Sequence, residues 1–344
     1  MNFYTLISNN TLKPKRWIYL IFLFTFLSSL FIILFNFIID PYNITKYNLL
    51  DIKYKFARDD RTEKINYFKT INKVDNILIG SSRVYSINPK IVSDILGGTT
   101  DNFGVGTATV EDHLGIIKYL VKEKKVPKNI IIGVDFYTFN PQIPPNSYFL
   151  KNKELNFLSY SNYDENYISK LFSFDSFRAS VKTLKVHLKN SQNKPRFDKN
   201  GWAGSYEDYS KRDTKLDLIN TKKELLENIK SFLSNLNYSH IDKKRIQYYE
   251  EIRNICITNN IKLYIFNTPL HPILLQELEL NLKTKQALKE FIQFMSTFEN
   301  FKNLYYNKLI YKDIRNFHGT THTSTNCGDI ILKELFTEGF AHKN

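Results

Sequence analysis

The sequence predicts an α/β domain built on a mostly parallel sheet, carried behind an N-terminal membrane-spanning helix. Three observations predict it. Short, continuous apolar runs rich in β-branched residues alternate with amphipathic segments of helical period, the pattern of strands buried on both faces. Residues 17–39 hold no charged side chain. The composition (344 residues, 42% hydrophobic, 24% charged, 12 Gly and 10 Pro) belongs to a folded chain and excludes a disordered or collagen-like polymer.

Residues 17–39 are broken only by Thr25, Ser28, Ser29 and Asn36. As a helix rising ~1.5 Å per residue they extend about 35 Å, more than a bilayer core of ~30 Å. A cleavable signal peptide is the alternative. Its apolar core would span ~7–15 residues before a small-residue cleavage site. Here the run ends in Asp40-Pro41-Tyr42, which favours an uncleaved anchor. Lys13, Lys15 and Arg16 abut the helix start and place residues 1–16 in the cytoplasm as a tail. Lys46, Lys53, Lys55 and Arg58 follow the helix but are spread out among Asp51, Asp59 and Asp60. The expected arrangement is therefore a single-pass inner-membrane protein with an extracytoplasmic, periplasmic body. Residues 40–72 are polar and irregular and read as a connector to a domain at 73–344.

Within that domain, residues 76–79 form a short buried-strand run that ends at Gly80, and residues 100–103 a weaker one. Residues 130–134 are the strongest, bounded by Pro127 and Asp135, and residues 262–266 close on Asn267-Thr268-Pro269. Residues 303–306 read as a fifth. Helical periodicity lies between them. Val110, Leu114, Ile117 and Val121 share one face over residues 110–124, and residues 241–259, 272–298 and 329–336 also read as helices. Residues 141–216, rich in Ser, Asn, Tyr and Lys, interrupt the alternation. A stretch that long inside a compact domain predicts a partly helical insertion over one end of the sheet.

The net charge is +14, of which residues 1–16 contribute three charges, leaving +11 on the rest. Such a field attracts acidic polymers or anionic surfaces. The basic residues are scattered and no zinc-finger, basic-zipper or RNA-binding signature appears, so nucleic acid is not expected as a partner. The two cysteines, Cys256 and Cys327, cannot make a disulfide framework or a four-thiolate zinc site, although a single bridge stays open. No phosphate-binding loop, dinucleotide fingerprint or His-Glu-x-x-His motif is present, so no cofactor and no metal are expected. His113, after Glu111-Asp112, reads as a surface residue rather than a metal ligand. His271 follows the fourth strand and has no partner at ligand spacing. Trp202 and Tyr206, in the insertion, are either sugar-stacking rings or core.

Two spots carry chemistry. Residues 77–83 run as a buried strand into Gly80-Ser81-Ser82-Arg83. Ligands of open parallel sheets sit beyond the carboxyl ends of the strands, where a serine after a glycine turn exposes its hydroxyl. Near the other end of the chain, residues 316–322 place His318 and His322 in a loop before the last helix. Histidine is the usual base for a serine nucleophile because its pKa lies near neutrality.

In order and spacing these pieces resemble the SGNH/GDSL hydrolase superfamily, above all its membrane-anchored bacterial members associated with polysaccharide or cell-wall O-acylation. The resemblance rests on Asp40-Pro41-Tyr42 after the apolar helix, Gly80 to Arg83 after the first strand, and Asn102-Phe103-Gly104-Val105-Gly106-Thr107 after the second. It also takes in residues 130–136 and the pair His322 and Gly328. It implies a flavodoxin-like, three-layer parallel sheet and an esterase or O-acyltransferase. The implied substrate is a cell-surface or exported glycan, of acidic type if the charge is a guide, and the implied partner is a membrane protein that donates the acyl group.

Carried over, the resemblance puts the nucleophile at Ser82, ahead of its neighbour Ser81, and the base at His322. The oxyanion donor is Gly106 or Thr107, and the N–H of Ser82 is a second. Asp135 stands where the family has an asparagine donor, and Asn140 is a substitute without spacing support. The family places an aspartate three residues before the histidine, where this chain has Gly319. The site is then a Ser82–His322 dyad, a triad completed by an acid such as Asp313, or degenerate. The last case corresponds to a non-catalytic binding or assembly protein for surface polysaccharide.

Overall fold

The computed structural model describes residues 14–41, 49–50, 52, 59–152, 154–156, 173–188, 197, 200–202, 223, 237–318 and 321–340. They fall into two units.

One unit contains the N-terminal helix Pro14–Ile39. From Arg16 to Ile39 it is 24 residues long with a mean hydropathy of 2.6, long and apolar enough to cross a membrane. A second helix, Phe174–Leu188, belongs to the same unit. Its Phe177 ring lies 5.4 Å from Phe35 and 6.4 Å from Phe31. Asn36, one of the polar interruptions of the apolar run, is buried there. Its amide donates to the Ser173 carbonyl at 3.4 Å and its oxygen accepts the Ser180 hydroxyl at 2.9 Å. This part of the 141–216 segment thus packs on the apolar helix, where an insertion over the sheet was expected. Much of that segment lies outside the described residues, as does most of the tail at 1–16.

The other unit is α/β. Five strands, β1 (Asn76–Gly80), β2 (Thr100–Asn102), β3 (Asn129–Val134), β4 (Lys262–Asn267) and β5 (Phe301–Lys302), form one parallel sheet in the order β2-β1-β3-β4-β5. The winding reverses between β1 and β3, the switch point where open α/β sheets bind ligands. Because successive side chains alternate across a strand, the buried residues sort into two cores. Ile77, Ile79, Ile130, Ile132 and Ile265 face one side, packed with the helices Asp60–Thr70, Val110–Lys122, Lys243–Thr258, Pro272–Leu280 and Leu282–Met295. Leu78, Ile131, Tyr264 and Phe266 face the other, with Pro89–Leu96 and Thr325–Phe340. Cys256 and Cys327 are free and sit in opposite cores, so they do not pair.

Three expectations are corrected. Part of the stretch read as an irregular connector is the helix Asp60–Thr70, which buries Ile65 and Phe68 despite a polar composition. The fifth strand is Phe301–Lys302, two residues before the run chosen from sequence. The long helical pattern at 272–298 is two helices, broken where the Asn281 side chain caps the second through Lys283 and Thr284 N–H. A short antiparallel hairpin, β6 (Phe317–His318) with β7 (His322–Thr323), precedes the last helix.

Candidate active site

Three glycines shape the end of β1. Gly80 pairs with Gly133 of β3, and with Gly104 they leave a hollow that Val84 fills. A Cβ on Gly80 would stand 2.6 Å from Val84 Cγ1, one on Gly104 2.5 Å from Val84 Cγ2, and one on Gly133 would also overlap Val84. With Val84 seated there, the chain after β1 turns down at once as a 3₁₀ turn, Ser82–Ser86. The Ser81 hydroxyl caps it by accepting the Arg83 N–H at 3.2 Å. Asn102, at the end of β2, steadies it from the side. Its amide donates to the Val84 carbonyl at 2.7 Å while its oxygen accepts the Gly104 N–H at 2.8 Å. The turn leaves Ser82 half-buried at the carboxyl end of the sheet.

The hairpin strand β7 carries His322 to the same place. The Ser86 and Thr323 hydroxyls are 3.0 Å apart. At Gly328 a Cβ would stand 2.7 Å from the Ser86 carbonyl oxygen, so the last helix approaches the serine turn backbone to backbone. These contacts bring Ser82 Oγ to 2.9 Å from His322 Nε2 across 240 residues of sequence. His322 Nδ1 lies 3.3 Å from the Thr321 hydroxyl.

Both side chains line a cavity of about 390 Å³. Phe136, Tyr137, Ile143, Pro144 and Leu270 form its apolar wall, and Arg83, Thr107, Thr109, Asn146 and Thr321 its polar edge. Two backbone N–H groups on it have no acceptor among the described residues. One is that of Ser82, first in its turn and without an intrahelical partner. The other is that of Thr107, whose φ of +49° is a strained value for a β-branched residue. A hydroxyl held on an imidazole can give up its proton as it attacks a carbonyl carbon, and such N–H groups stabilise the charge that develops.

The Gly106–Thr107 turn is clamped from two sides. The Gly106 N–H is already taken by Asp60 Oδ2 at 2.8 Å, and that oxygen also accepts the Tyr85 hydroxyl at 2.5 Å. Arg61 donates to the Gly106 carbonyl at 3.3 Å and forks onto both Asp112 oxygens at 2.6 and 2.9 Å. Asp112 also accepts the Thr109 N–H at 2.8 Å at the start of the helix Val110–Lys122. The Asn146 amide holds the Thr107 hydroxyl at 2.6 Å and its carbonyl at 3.2 Å. Of the two residues left open as oxyanion donors, Thr107 has the unengaged N–H.

Other residues read from the sequence stand elsewhere. Asp135 is buried and salt-bridged to Arg83 at 2.8 Å, and also accepts the Thr268 hydroxyl. Asn140 is buried and is not part of the cavity lining. Its side-chain oxygen accepts the Gln142 N–H at 2.8 Å and its carbonyl accepts from Arg245 at 2.7 Å. Asp313 makes no hydrogen bond to His322. Arg315 takes both of its oxygens, at 2.5 to 2.9 Å, and holds its carboxyl below the usual range. Gly319 and Tyr206 lie outside the described residues, and Trp202 is half-buried. His113 is corrected from surface to core. It is 1% exposed, its Nδ1 lies 2.9 Å from the Tyr249 hydroxyl, and burial lowers its pKa to about 4. His271 is buried at the start of the helix Pro272–Leu280, its Nδ1 accepting the Ile273 N–H at 3.3 Å, and burial lowers its pKa.

No family model matches the chain, and no curated protein matches it. The functional reading therefore stands on the geometry and on the residues that make it. Among the described residues no group of three or more His, Cys, Asp or Glu side chains is placed to hold a metal ion. The clamp residues Asp60, Arg61 and Asn146 were missed from the sequence. Only the Thr109-x-x-Asp112 spacing, a helix-start signature, pointed towards that network.

Proposed function

We propose that the protein is a membrane-anchored serine esterase or O-acyltransferase of SGNH type, acting outside the cytoplasm on a cell-surface or exported glycan. One observation carries the reading: Ser82 Oγ stands 2.9 Å from His322 Nε2 at the edge of a cavity. That distance is within hydrogen-bond reach for a nucleophile and its base. The order of the motifs along the chain supports the SGNH assignment. The helix Pro14–Ile39 supports the anchor, and the positive charge supports an acidic glycan.

In this reading Ser82 Oγ attacks the acyl carbonyl carbon as its proton passes to His322. The Ser82 and Thr107 N–H groups receive the oxyanion. Collapse breaks the bond to the alkoxy oxygen, which leaves with the proton from His322. Water, or a sugar hydroxyl, then gives a proton to His322 and attacks the acyl carbon, and Ser82 Oγ leaves and is reprotonated. In the transferase a membrane protein supplies the first acyl group.

The test is activity-based labelling of the full chain with a fluorophosphonate, followed by mapping of the modified serine. Ser82 is the expected site, and Ser82→Ala is expected to abolish both labelling and acetate release from a chromogenic ester. Turnover that survives in Ser82→Ala rejects the reading. The Asp313–Arg315 pairing favours a second one, a non-catalytic binding or assembly protein for surface polysaccharide. It predicts folded wild-type protein with neither labelling nor turnover.

A further inference from the structure

The cavity beside Ser82 is larger and greasier than an acetyl group requires. It measures about 390 Å³ and is walled by Phe136, Tyr137, Ile143, Pro144 and Leu270. A water-sized group, close to a methylene in bulk, takes ~30 Å³, so the space holds roughly a dozen. Its one cationic wall residue among those described, Arg83, is neutralised by Asp135 at 2.8 Å. The charge that would draw in an acidic sugar therefore lies elsewhere on the molecule. The polar side chains on the lining are mostly neutral hydroxyls and an amide: Thr107 and Asn146, hydrogen-bonded to each other, line it together with Ser82 and His322.

From this volume and lining we infer that the acyl group received by Ser82 is a neutral aliphatic chain of several carbons, housed against the Phe136–Leu270 wall. The inference deepens the serine-nucleophile reading and rests on it. A cationic aminoacyl or an anionic dicarboxylic half-ester has no partner for its charge on that wall and loses its hydration on entering. An acetyl group enters and leaves most of the wall uncovered. Each added methylene covers apolar surface that stays covered in the transition state, so it raises kcat/KM as well as affinity.

The test uses alkyl fluorophosphonates with one-, four- and eight-carbon chains on the full-length protein in lipid nanodiscs, which keep detergent out of the cavity. The readout is the rate of Ser82 modification by intact mass. Burial of a methylene corresponds to about a fourfold gain, so the octyl reagent is expected to label at least 100-fold faster than the methyl one. Ile143→Trp fills the space from a half-buried loop position and is expected to erase that ratio. Leu270→Ala is expected to shift the optimum to a longer chain. Labelling of Ser82 at one rate whatever the chain length overturns this inference and leaves the nucleophile standing. Failure of every reagent to modify Ser82 in folded protein removes the nucleophile, and the acyl-chain assignment with it.

Discussion

Asp60 accepts the Gly106 N–H at 2.8 Å, and this bond decides which amide of the Gly106–Thr107 turn is left without an acceptor among the described residues. With Gly106 occupied and its carbonyl held by Arg61, the next N–H, that of Thr107, is the one that the proposed mechanism gives to the oxyanion. Asp60→Ala unties Gly106 and removes the hydrogen bond from the Tyr85 hydroxyl, which shares the same carboxylate oxygen. Losing hydrogen bonds of this kind costs about 1–3 kcal/mol in stability. Misplacing the donor is expected to lower kcat about 10- to 100-fold. KM for a small ester should move little, because the interaction strengthens only in the transition state. Steady-state kinetics beside a urea unfolding curve separate the two effects. Equal loss in kcat and in folded fraction would make Asp60 merely structural.

Asp135 belongs to the packing of Arg83. The pair lies 2.8 Å apart with side-chain exposures of 7% and 1%, and the guanidinium also donates to Thr268 at 3.1 Å. Asp135→Asn introduces the residue type that the SGNH hydrolases, which the sequence resembles, use as an oxyanion donor, yet here it leaves a buried guanidinium without its counter-charge. Breaking one half of such a pair costs on the order of 3–5 kcal/mol. We expect a lower unfolding midpoint, and no gain in activity per folded molecule. Raised turnover without a loss of stability would assign Asp135 a catalytic role.

The contrast between Ser82 and Asp60 shows what the sequence made legible. Strands β1, β3 and β4 are continuous apolar runs, and a parallel sheet follows from their periodicity and from the helices between them. Ser82 and His322 were readable because each follows or precedes such an element at a place where open sheets put ligands. Asp60 and Arg61 were not, since they begin a helix of mean polar composition whose buried members, Ile65 and Phe68, are too few to set a period. Their partner Gly106 is 46 residues from Asp60, and no local pattern encodes a contact at that separation. His113 shows the opposite failure. Its neighbours Glu111 and Asp112 make the segment look exposed, but both carboxylates are buried against arginines, Arg245 and Arg61.

His113 makes the α/β unit sensitive to acid. Burial holds its pKa near 4 in the folded protein, below the ordinary 6.5, although Asp112 and Asp135 pull it upward. Between those values the unfolded chain takes up a proton that the folded one refuses, so stability is complete above pH 6.5 and declines as the pH falls towards 4. The loss by pH 5 is about 2 kcal/mol. His113→Asn keeps a polar atom opposite the Tyr249 hydroxyl and removes the titration. Urea midpoints at pH 7.5 and 5 should converge more closely in that variant than in the parent. An unchanged difference would place the acid sensitivity elsewhere.

The seat of Val84 is testable by pairing substitutions. Gly133→Ala drives a Cβ into Val84 and to 2.9 Å from Phe266 Cζ, both of them side-chain atoms. Overpacking of this kind costs about 1–3 kcal/mol and lifts the turn that carries Ser82, so labelling of Ser82 should slow together with the loss of stability. Adding Val84→Ala vacates the hollow and should return part of both, a coupling that a double-mutant cycle reads directly. Gly80→Ala behaves differently, because its Cβ would also stand 2.8 Å from the Gly133 carbonyl oxygen. That atom belongs to the backbone of the paired strand, so Val84→Ala should rescue Gly80→Ala poorly. Equal rescue of the two would mean that strand β3 yields at Gly133, and that Val84 does not by itself fix the height of Ser82 above the sheet.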